Sequence, residues 1–334
     1  MARLPRIVVV GLGSIGRRHA RLLAGRGDLS VEWCESSDAA LGLARQEMGE
    51  PAGVHVSFDE MLQSRPAMVV IATPHALHAD QAVAALGAGV HVLCEKPMAD
   101  TLANAERMAG AAERTRAVMT IGFHLHFHPG LRRLKALIQE GELGSVHHAH
   151  CHFGAYIVLV NSKSRYQRTL EGALLLDCAH QPDIFAWLLG QAPVGVYATG
   201  GQGGALEHQS KPNFIAMDCD YAGPVISTAH LNYLQMPERH EYEIVGDRGW
   251  AVFDLVQGRL RIGRQSDSSE RVEVIPTDRD PLYREEHAAF LEAVAGRAEP
   301  ESPSRSAIIS MRVIAAALES LNTRQRVPLT KKRT

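Results

Sequence analysis

The chain has 334 residues, of which 46% are hydrophobic and 22% are charged, and its formal net charge is -2. This length predicts two domains, and the composition is ordinary for a globular protein. The near balance of charge gives no indication of a nucleic-acid or membrane partner, and no apolar run approaches the length of a membrane span. Five scattered cysteines without a C-x-x-C pair favour a reduced protein, and we expect it in the cytoplasm.

Short β-branched runs alternate with helical patterns in the first third of the chain. The run RIVVV is typical of a buried strand, and similar runs follow further along this part of the chain. The predicted strands, separated by helices, are 6–10, 29–35, 68–73, 90–95 and 117–123. Such alternation implies right-handed crossovers and a parallel sheet. Residues 1–123 are therefore predicted to form a doubly wound, nucleotide-binding Rossmann domain.

The pattern changes after residue 123. Helices are predicted at about 129–140, 173–189, 283–296 and 304–322. Strand-like runs joined by short turns occupy most of the remaining positions. They are 145–157, 193–199, 213–221, 224–234, 240–246, 249–254, 259–263 and 271–276. Residues 124–334 are therefore predicted to form a second α/β domain with a large, mostly antiparallel open sheet.

A glycine motif follows the first strand. Gly11, Gly13 and Gly16 form G-x-G-x-x-G at the start of a predicted helix. Gly11 permits a tight turn, Gly13 admits the pyrophosphate, and Gly16 lets the helix approach the strand. The free N–H groups of the helix N-terminus suit phosphate groups. In this strand–turn–helix context the motif predicts dinucleotide binding.

An acidic residue ends the second strand. Glu35 lies 19 residues after Gly16 and is expected to accept hydrogen bonds from the adenosine ribose hydroxyls. Its charge would repel a 2′-phosphate, so NAD is favoured. NADP is the alternative, because Ser36, Ser37, Arg17 and Arg18 provide possible partners for that phosphate.

Two further motifs carry groups suited to proton chemistry. Lys96 lies in CEKP, at the C-terminal end of a predicted strand, where open parallel sheets bind ligands. Asp177, His180 and Asp183 follow one another at spacings of three, which on one helix would place them on one face. A neutral histidine suits removal of a proton from an alcohol, and a carboxylate can orient it.

Two stretches contain histidines at alternate positions. They are IGFHLHFHPG, with His124, His126 and His128, and HHAHCH, with His148, His150 and His152. On extended strands each set would share a face. Imidazole is a common ligand of transition metals, so a metal site is one interpretation, and polar contacts or a sheet surface are the other.

Five segments together resemble the glucose–fructose oxidoreductase / inositol dehydrogenase / MocA family. They occur in family order and span most of the chain. They are VVVGLGSIGRRHA (8–20), IATPHALHAD (71–80), HVLCEKPMADT (91–101), GFHLHFHP (122–129) and EGALLLDCAHQPDIFAWLLG (171–190). The resemblance implies a Rossmann domain followed by an α/β domain. It also implies a homodimer or homotetramer that associates through the large sheet.

The resemblance assigns roles near the cofactor and the reacting carbon. It implies that Lys96 contacts the reacting hydroxyl and that the peptide bond before Pro97 is often cis. His124 and His126 would lie at the active-site mouth. With the glycine turn, the expected cofactor-binding residues are Gly11, Gly13, Ser14, Ile15, Gly16, Glu35, Thr73, Pro74, His78, Glu95, Lys96 and His124.

The proton acceptor is less clearly assigned. By resemblance His180 is the expected base, with Lys96 as the competing choice and Asp177 tuning the hydroxyl. The family commonly separates the aspartate and histidine by four positions, whereas here the gap is three, and Gln181 replaces a usual glutamate. The expected substrate-binding residues are Lys96, His126, Arg165, Tyr166, Gln167, Asp177 and His180.

These features predict an NAD(P)-dependent oxidoreductase that moves a hydride to or from a carbinol carbon of a sugar, cyclitol or nucleotide sugar. Hydride transfer requires no metal, and none is expected. One alternative is cleavage of a glycoside by transient oxidation with tightly held NAD. The other is a non-catalytic NAD sensor, which the intact Lys96, Asp177 and His180 disfavour.

Overall fold

The computed structural model describes residues 4–162 and 166–329, and the chain forms two compact units. The first unit comprises Met1–Phe127 and Asp278–Met311, and the second comprises His128–Thr277 and Arg312–Thr334. The predicted division at residue 123 treats each domain as one continuous segment, whereas both units are discontinuous. The chain leaves the first unit after Phe127, returns to it at Asp278 and leaves it again after Met311.

Most helices and strands lie within three residues of their predicted bounds. The strands are β1 (Arg6–Val10), β2 (Ser30–Cys34), β3 (Val54–His55), β4 (Met68–Ile71), β5 (His91–Glu95), β6 (Met119–Gly122), β7 (Val146–Gly154), β8 (Gly195–Gly201), β9 (Phe214–Asp220), β10 (Ile226–Asn232), β11 (Arg239–Gly246), β12 (Gly249–Asp254), β13 (Arg259–Arg264), β14 (Ser269–Val274) and β15 (Val327–Pro328). The helices are α1 (Ser14–Ala24), α2 (Asp38–Met48), α3 (Phe58–Gln63), α4 (His78–Gly87), α5 (Leu102–Glu113), α6 (Pro129–Gln139), α7 (Ile157–Asn161), α8 (Ala173–Asp177), α9 (His180–Leu189), α10 (Asp280–Val294) and α11 (Ser304–Thr323).

The first unit contains a six-stranded parallel sheet in the order β3-β2-β1-β4-β5-β6. This is the strand order of the Rossmann fold, so the predicted fold of this part is confirmed. Ile7 and Val8 of β1 point to opposite faces and are both fully buried, because both faces of a parallel sheet are covered. Phe290 of α10 belongs to the same core, so the returning segment completes this unit.

The second unit contains a nine-stranded sheet in the order β14-β13-β12-β11-β7-β10-β9-β8-β15. Its neighbours pair antiparallel except for β7 and β10, which are parallel. The prediction of a large, mostly antiparallel open sheet is therefore confirmed. Across residues 4–162 and 166–329, none of the helices combines the length and hydropathy that a membrane span requires.

The histidines of HHAHCH lie on β7, as predicted. Ala149 and Cys151 are buried on one face of this strand, whereas His148, His150 and His152 are only partly buried on the other. The side chains alternate because successive residues of a strand point to opposite faces. The three imidazoles therefore share one face of the sheet.

The first histidine stretch has a different structure. The prediction of an extended strand with His124, His126 and His128 on one face is wrong, because β6 ends at Gly122 and a 3₁₀ turn occupies His124–Phe127. His128 then caps α6, with its Nδ1 accepting the N–H of Gly130 at 3.2 Å. Proline at the first position of α6 favours this helix start and an extended residue before it.

His128 makes the stability of the second unit dependent on pH. It is buried, and burial lowers the pKa of its imidazole to about 4. In the unfolded chain the imidazole of His128 takes up a proton near pH 6.5, whereas in the folded protein it does so only near pH 4. The stability that the neutral ring contributes is therefore fully present above about pH 6.5 and is lost as the pH falls toward about 4. The unmodified protein should lose free energy of unfolding between pH 7 and pH 4. We expect this loss to be smaller by about 3 kcal/mol in His128→Asn, which keeps a capping oxygen but has no titrating ring.

Urea unfolding at the two pH values measures this effect. His147→Asn is the matched control, because His147 is an exposed histidine of β7 and its replacement leaves the buried ring of His128 in place. An identical pH dependence in His128→Asn and the unmodified protein would contradict the burial argument.

Candidate active site

The glycine turn of the first unit has the geometry of a phosphate cradle. Gly11 adopts a left-handed conformation with φ of 86°, and Gly13 precedes the first residue of α1. A Cβ at Gly16 would lie 1.8 Å from the carbonyl oxygen of Gly11. Only glycine fits there, and α1 consequently begins directly behind β1. Ser14 and Ile15 are its first two residues, where helical N–H groups are free to bind an anion.

Glu35 is held against this turn. Its Oε2 accepts the N–H of Leu12 at 2.8 Å, and its Oε1 accepts the N–H of Ser37 at 2.9 Å. These two bonds fix the carboxylate beside the phosphate cradle, in the position from which the sequence pattern predicts ribose binding. Its role toward a cofactor stays a prediction.

The two arginines considered as partners of a 2′-phosphate are already engaged. Arg17 pairs with Glu47 at 2.7 Å and donates to the carbonyl oxygen of Leu12 at 2.9 Å. Arg18 lies 3.3 Å from Asp280. Both arginines would have to leave carboxylate partners to bind a phosphate, which favours NAD over NADP.

The motif CEKP lies at the C-terminal end of β5. Glu95 is the last residue of the strand, and Lys96 after it is half-buried. The bond between Lys96 and Pro97 is cis, as the resemblance implied. Glu95 Oε2 accepts the N–H of Lys96 at 3.1 Å, and its Oε1 lies 2.9 Å from Nε2 of His19. The carboxylate of Glu95 thus holds the backbone from which Lys96 projects.

His78 links this loop to the preceding strand end. Its ring nitrogens lie 2.9 Å from the carbonyl oxygen of Thr73 and 3.0 Å from that of Pro97. Thr73 also donates its hydroxyl to Gln81 at 2.7 Å, and Pro74 precedes a 3₁₀ turn. His78 is buried, so the contacts it makes stabilise the two loops predicted to lie along the cofactor.

His124 and His126 are buried in the first unit. His124 stacks on Tyr283 of α10 with ring centroids 4.6 Å apart, and burial holds the pKa of its imidazole well below the ordinary value. It is therefore neutral, as expected for a polar contact. His126 Nδ1 lies 3.1 Å from the hydroxyl of Ser302 and 3.6 Å from Glu301. Its assignment to the substrate stays a prediction.

The helix predicted for 173–189 is broken in the second unit. Asp177 is the last residue of α8 and His180 is the first residue of α9, so the prediction that they share a face of one helix is wrong. Pro182 has no N–H to bond the carbonyl of Cys178, which favours a new helix beginning here. Asp183 does lie on the same helix as His180, three residues further on.

Asp177 is surrounded by hydrogen-bond donors. The hydroxyls of Tyr166 and Tyr233 donate to its carboxylate, and Gln167 Nε2 donates at 3.1 Å. Burial and the charge of Asp177 raise the pKa of Tyr233, which keeps its hydroxyl protonated as a donor. Tyr166 and Gln167 were predicted near the site, whereas Tyr233 follows β10 and no motif marks it. Arg165 lies outside the described residues.

The histidines of β7 make polar and stacking contacts. Thr228 Oγ1 lies 3.0 Å from Nε2 of His148 and 2.7 Å from Nδ1 of His150. His152 stacks on His230 with centroids 4.8 Å apart. A metal site needs at least three ligand atoms close together. Among the described residues, no three of these imidazoles bring ring nitrogens within 4.8 Å of one another.

The fold and the glycine turn define a dinucleotide-binding protein. Residues 5–123 match the model of an oxidoreductase family with an NAD-binding Rossmann fold, and residues 131–252 match a GFO/IDH/MocA C-terminal domain. The chain belongs to the GFO/IDH/MocA family, and it is an NAD(P)-dependent oxidoreductase.

Individual relatives cover most of the chain. It is 26% identical over 260 residues to a 1,5-anhydro-D-fructose reductase of Ensifer adhaerens, covering 77% of this chain and 78% of the relative. It is 27% identical over 336 residues to inositol 2-dehydrogenase 2 of Paenarthrobacter aurescens, covering 95% and 96%. A levoglucosan dehydrogenase solved with NADH and levoglucosan shares the fold, with a TM-score of 0.88 and 19% identity over 98% of this chain and all of that one.

Replacement of Glu35 tests the cofactor site. We expect Glu35→Ala to weaken NADH binding by about 10- to 100-fold, because the ribose hydroxyls lose a charged acceptor. The preference for NADH over NADPH should narrow as the repulsion of a 2′-phosphate is removed. Titration calorimetry with both nucleotides measures these changes.

Glu50→Ala is the matched control, because Glu50 is exposed and pairs with Arg45 at 3.1 Å on the same unit. It should bind both nucleotides like the unmodified protein. Unchanged NADH affinity in Glu35→Ala would refute the assignment of Glu35 to the ribose.

Proposed function

We propose that the protein transfers a hydride between C4 of nicotinamide and a carbinol carbon of a sugar, cyclitol or nucleotide sugar. The observation that carries this proposal is the arrangement of the first unit. Its glycine turn and Glu35 form a dinucleotide cradle, and the half-buried Lys96 lies at the C-terminal end of a strand in the same sheet. Open parallel sheets bind their ligands at this edge.

The catalytic roles follow from the chemistry of the side chains. Oxidation of a carbinol releases a hydride from carbon and a proton from the hydroxyl. Lys96 donates a hydrogen bond to the reacting oxygen and stabilises its negative charge as the proton leaves. His180 accepts that proton as general base. Lys96 itself is the competing acceptor, and the experiment below separates the two.

Asp177 has an orienting role in this proposal. Three donors hold its carboxylate, from Tyr166, Gln167 and Tyr233. A carboxylate fixed in this way can accept a hydrogen bond from a substrate hydroxyl with little loss of side-chain freedom. Arg165, Tyr166 and His126 are proposed as further substrate contacts.

The substrate class is supported by the relatives. One is named as a reductase of an anhydro sugar and another as an inositol dehydrogenase. Neither name favours glycoside cleavage or a non-catalytic sensor. A polyhydroxylated ring also suits the polar side chains around Asp177, because each ring hydroxyl can both donate and accept a hydrogen bond.

We further propose that the protein acts as a homodimer or homotetramer in the cytoplasm. The face of the large sheet that carries His148, His150 and His152 also exposes Tyr197 and Ile226, and apolar side chains on a sheet face suit association with a second copy. All five cysteines are buried free thiols, which suits a reducing compartment.

Two substitutions test the catalytic assignment. We expect Lys96→Met and His180→Asn each to lower kcat by about 10²- to 10⁴-fold, because each removes a group that acts on the reacting proton. In the variant that lacks the general base, kcat/KM should no longer fall at low pH. Absorbance of the reduced nicotinamide, with inositols and aldose sugars as substrates, measures both effects.

Lys211→Met is the matched control, since Lys211 is an exposed lysine that also precedes a proline. It should keep full activity, and both Lys211→Met and His180→Asn should retain NADH binding. Full turnover in both Lys96→Met and His180→Asn would overturn the catalytic roles. A protein that binds neither NADH nor NADPH would overturn the proposed function.

A further inference from the structure

The first unit contains a buried group of acidic and imidazole side chains. His19 lies on α1, Glu95 ends β5, and Glu286 and His287 lie on α10. All four are buried, with at most 7% of any of them exposed. One potential ligand atom from each of His19, Glu95 and Glu286 lies within 4.8 Å of the others. Three separate elements thus direct a nitrogen and two carboxylates toward one point.

No hydrogen bond among the described residues explains the burial of the Glu286 carboxylate. Neither of its carboxylate oxygens has a hydrogen-bond partner among the described residues, although 97% of the residue is shielded from solvent. A buried ionised carboxylate without a partner is strongly unfavourable, and a protonated one would still leave an O–H donor unsatisfied. A second carboxylate, Glu95, lies close by and adds repulsion.

His19 is oriented as a metal ligand usually is. Its Nδ1 lies 2.7 Å from Nε2 of His287, and its Nε2 lies 2.9 Å from Oε1 of Glu95. Ligating histidines typically use their second ring nitrogen for such an outer hydrogen bond, which fixes the tautomer and the ring plane. His287 therefore supports His19 from behind.

We propose that His19, Glu95 and Glu286 form a binding site for a divalent transition-metal ion of the zinc type. One imidazole and two carboxylates are a donor set that such ions accept, with water completing the coordination. An ion of charge +2 offsets the two carboxylates and gives Glu286 a partner. Hard ions such as Mg²⁺ prefer oxygen ligands only and suit the site less well.

The proposed ion has a structural role. It would join α1, which follows the glycine turn, to the end of β5 and to α10 from the returning segment. Glu95 also holds the N–H of Lys96 at 3.1 Å, so the same carboxylate connects the ion to the EKP backbone. The ion would take no direct part in hydride transfer, although Glu95 is also an expected cofactor-binding residue and holds the backbone of Lys96. Metal binding is measured separately from turnover, so failure of this proposal is distinguishable from failure of the proposed function.

Cobalt binding to untagged, chelator-treated protein tests the site. We expect one Co²⁺ per chain, seen as visible d–d absorption, displacement by Zn²⁺ but not by Mg²⁺, and a higher melting temperature with Zn²⁺. Glu286→Gln preserves the shape of the side chain and should weaken binding by about 100-fold or more, whereas His287→Gln should weaken it about tenfold. Glu285→Gln is the matched control, since Glu285 is the exposed neighbour.

A second control excludes the histidines of β7. Replacement of His148, His150 and His152 together by Asn should leave the stoichiometric site intact, and loss of binding in this variant would place the ion on the sheet instead. Equal Co²⁺ binding by Glu286→Gln and the unmodified protein would overturn the proposal. So would the absence of stoichiometric binding, and a proton shared by Glu95 and Glu286 would then account for the cluster. NADH titration confirms that each variant is folded.

Discussion

The close approach of Gly16 to the carbonyl oxygen of Gly11 is the constraint on which the first unit depends. With no side chain at position 16, α1 starts directly behind β1 and directs its free N–H groups to the C-terminal edge of the sheet. The same turn presents the N–H of Leu12 to Glu35. A methyl group at position 16 would displace the helix and with it both the anion-binding end and the partner of Glu35.

The sequence predicts this part of the molecule well because the relevant information is local. Alternating strands and helices follow from hydrophobic periodicity, and G-x-G-x-x-G with Glu35 identifies the cradle within 25 residues. The strand order and the sheet of the second unit agree with these patterns. The role of Lys96 came from resemblance, since a lysine at a strand end has no distinctive spacing.

Other features depend on turn geometry or on distant residues, and the sequence could not predict them. The histidines after β6 alternate like a strand, yet the helix that begins at Pro129 makes His128 its cap. Pro182 likewise divides a helical pattern in two, so Asp177 and His180 lie on separate helices. Tyr233 and Glu286 reach their partners from positions far along the chain, where no motif marks them.

The return of the chain to the first unit has a consequence for its synthesis. Phe290 belongs to the core formed by β1, β2 and β4, so a ribosome must translate nearly 300 residues before that core can close. The whole second unit except its last segment emerges earlier. Until then, the apolar surface of the Rossmann sheet that Phe290 covers stays exposed in the nascent chain. A fragment cut after Phe127 would expose the same surface permanently. Fragments made for expression should retain residues 278–311.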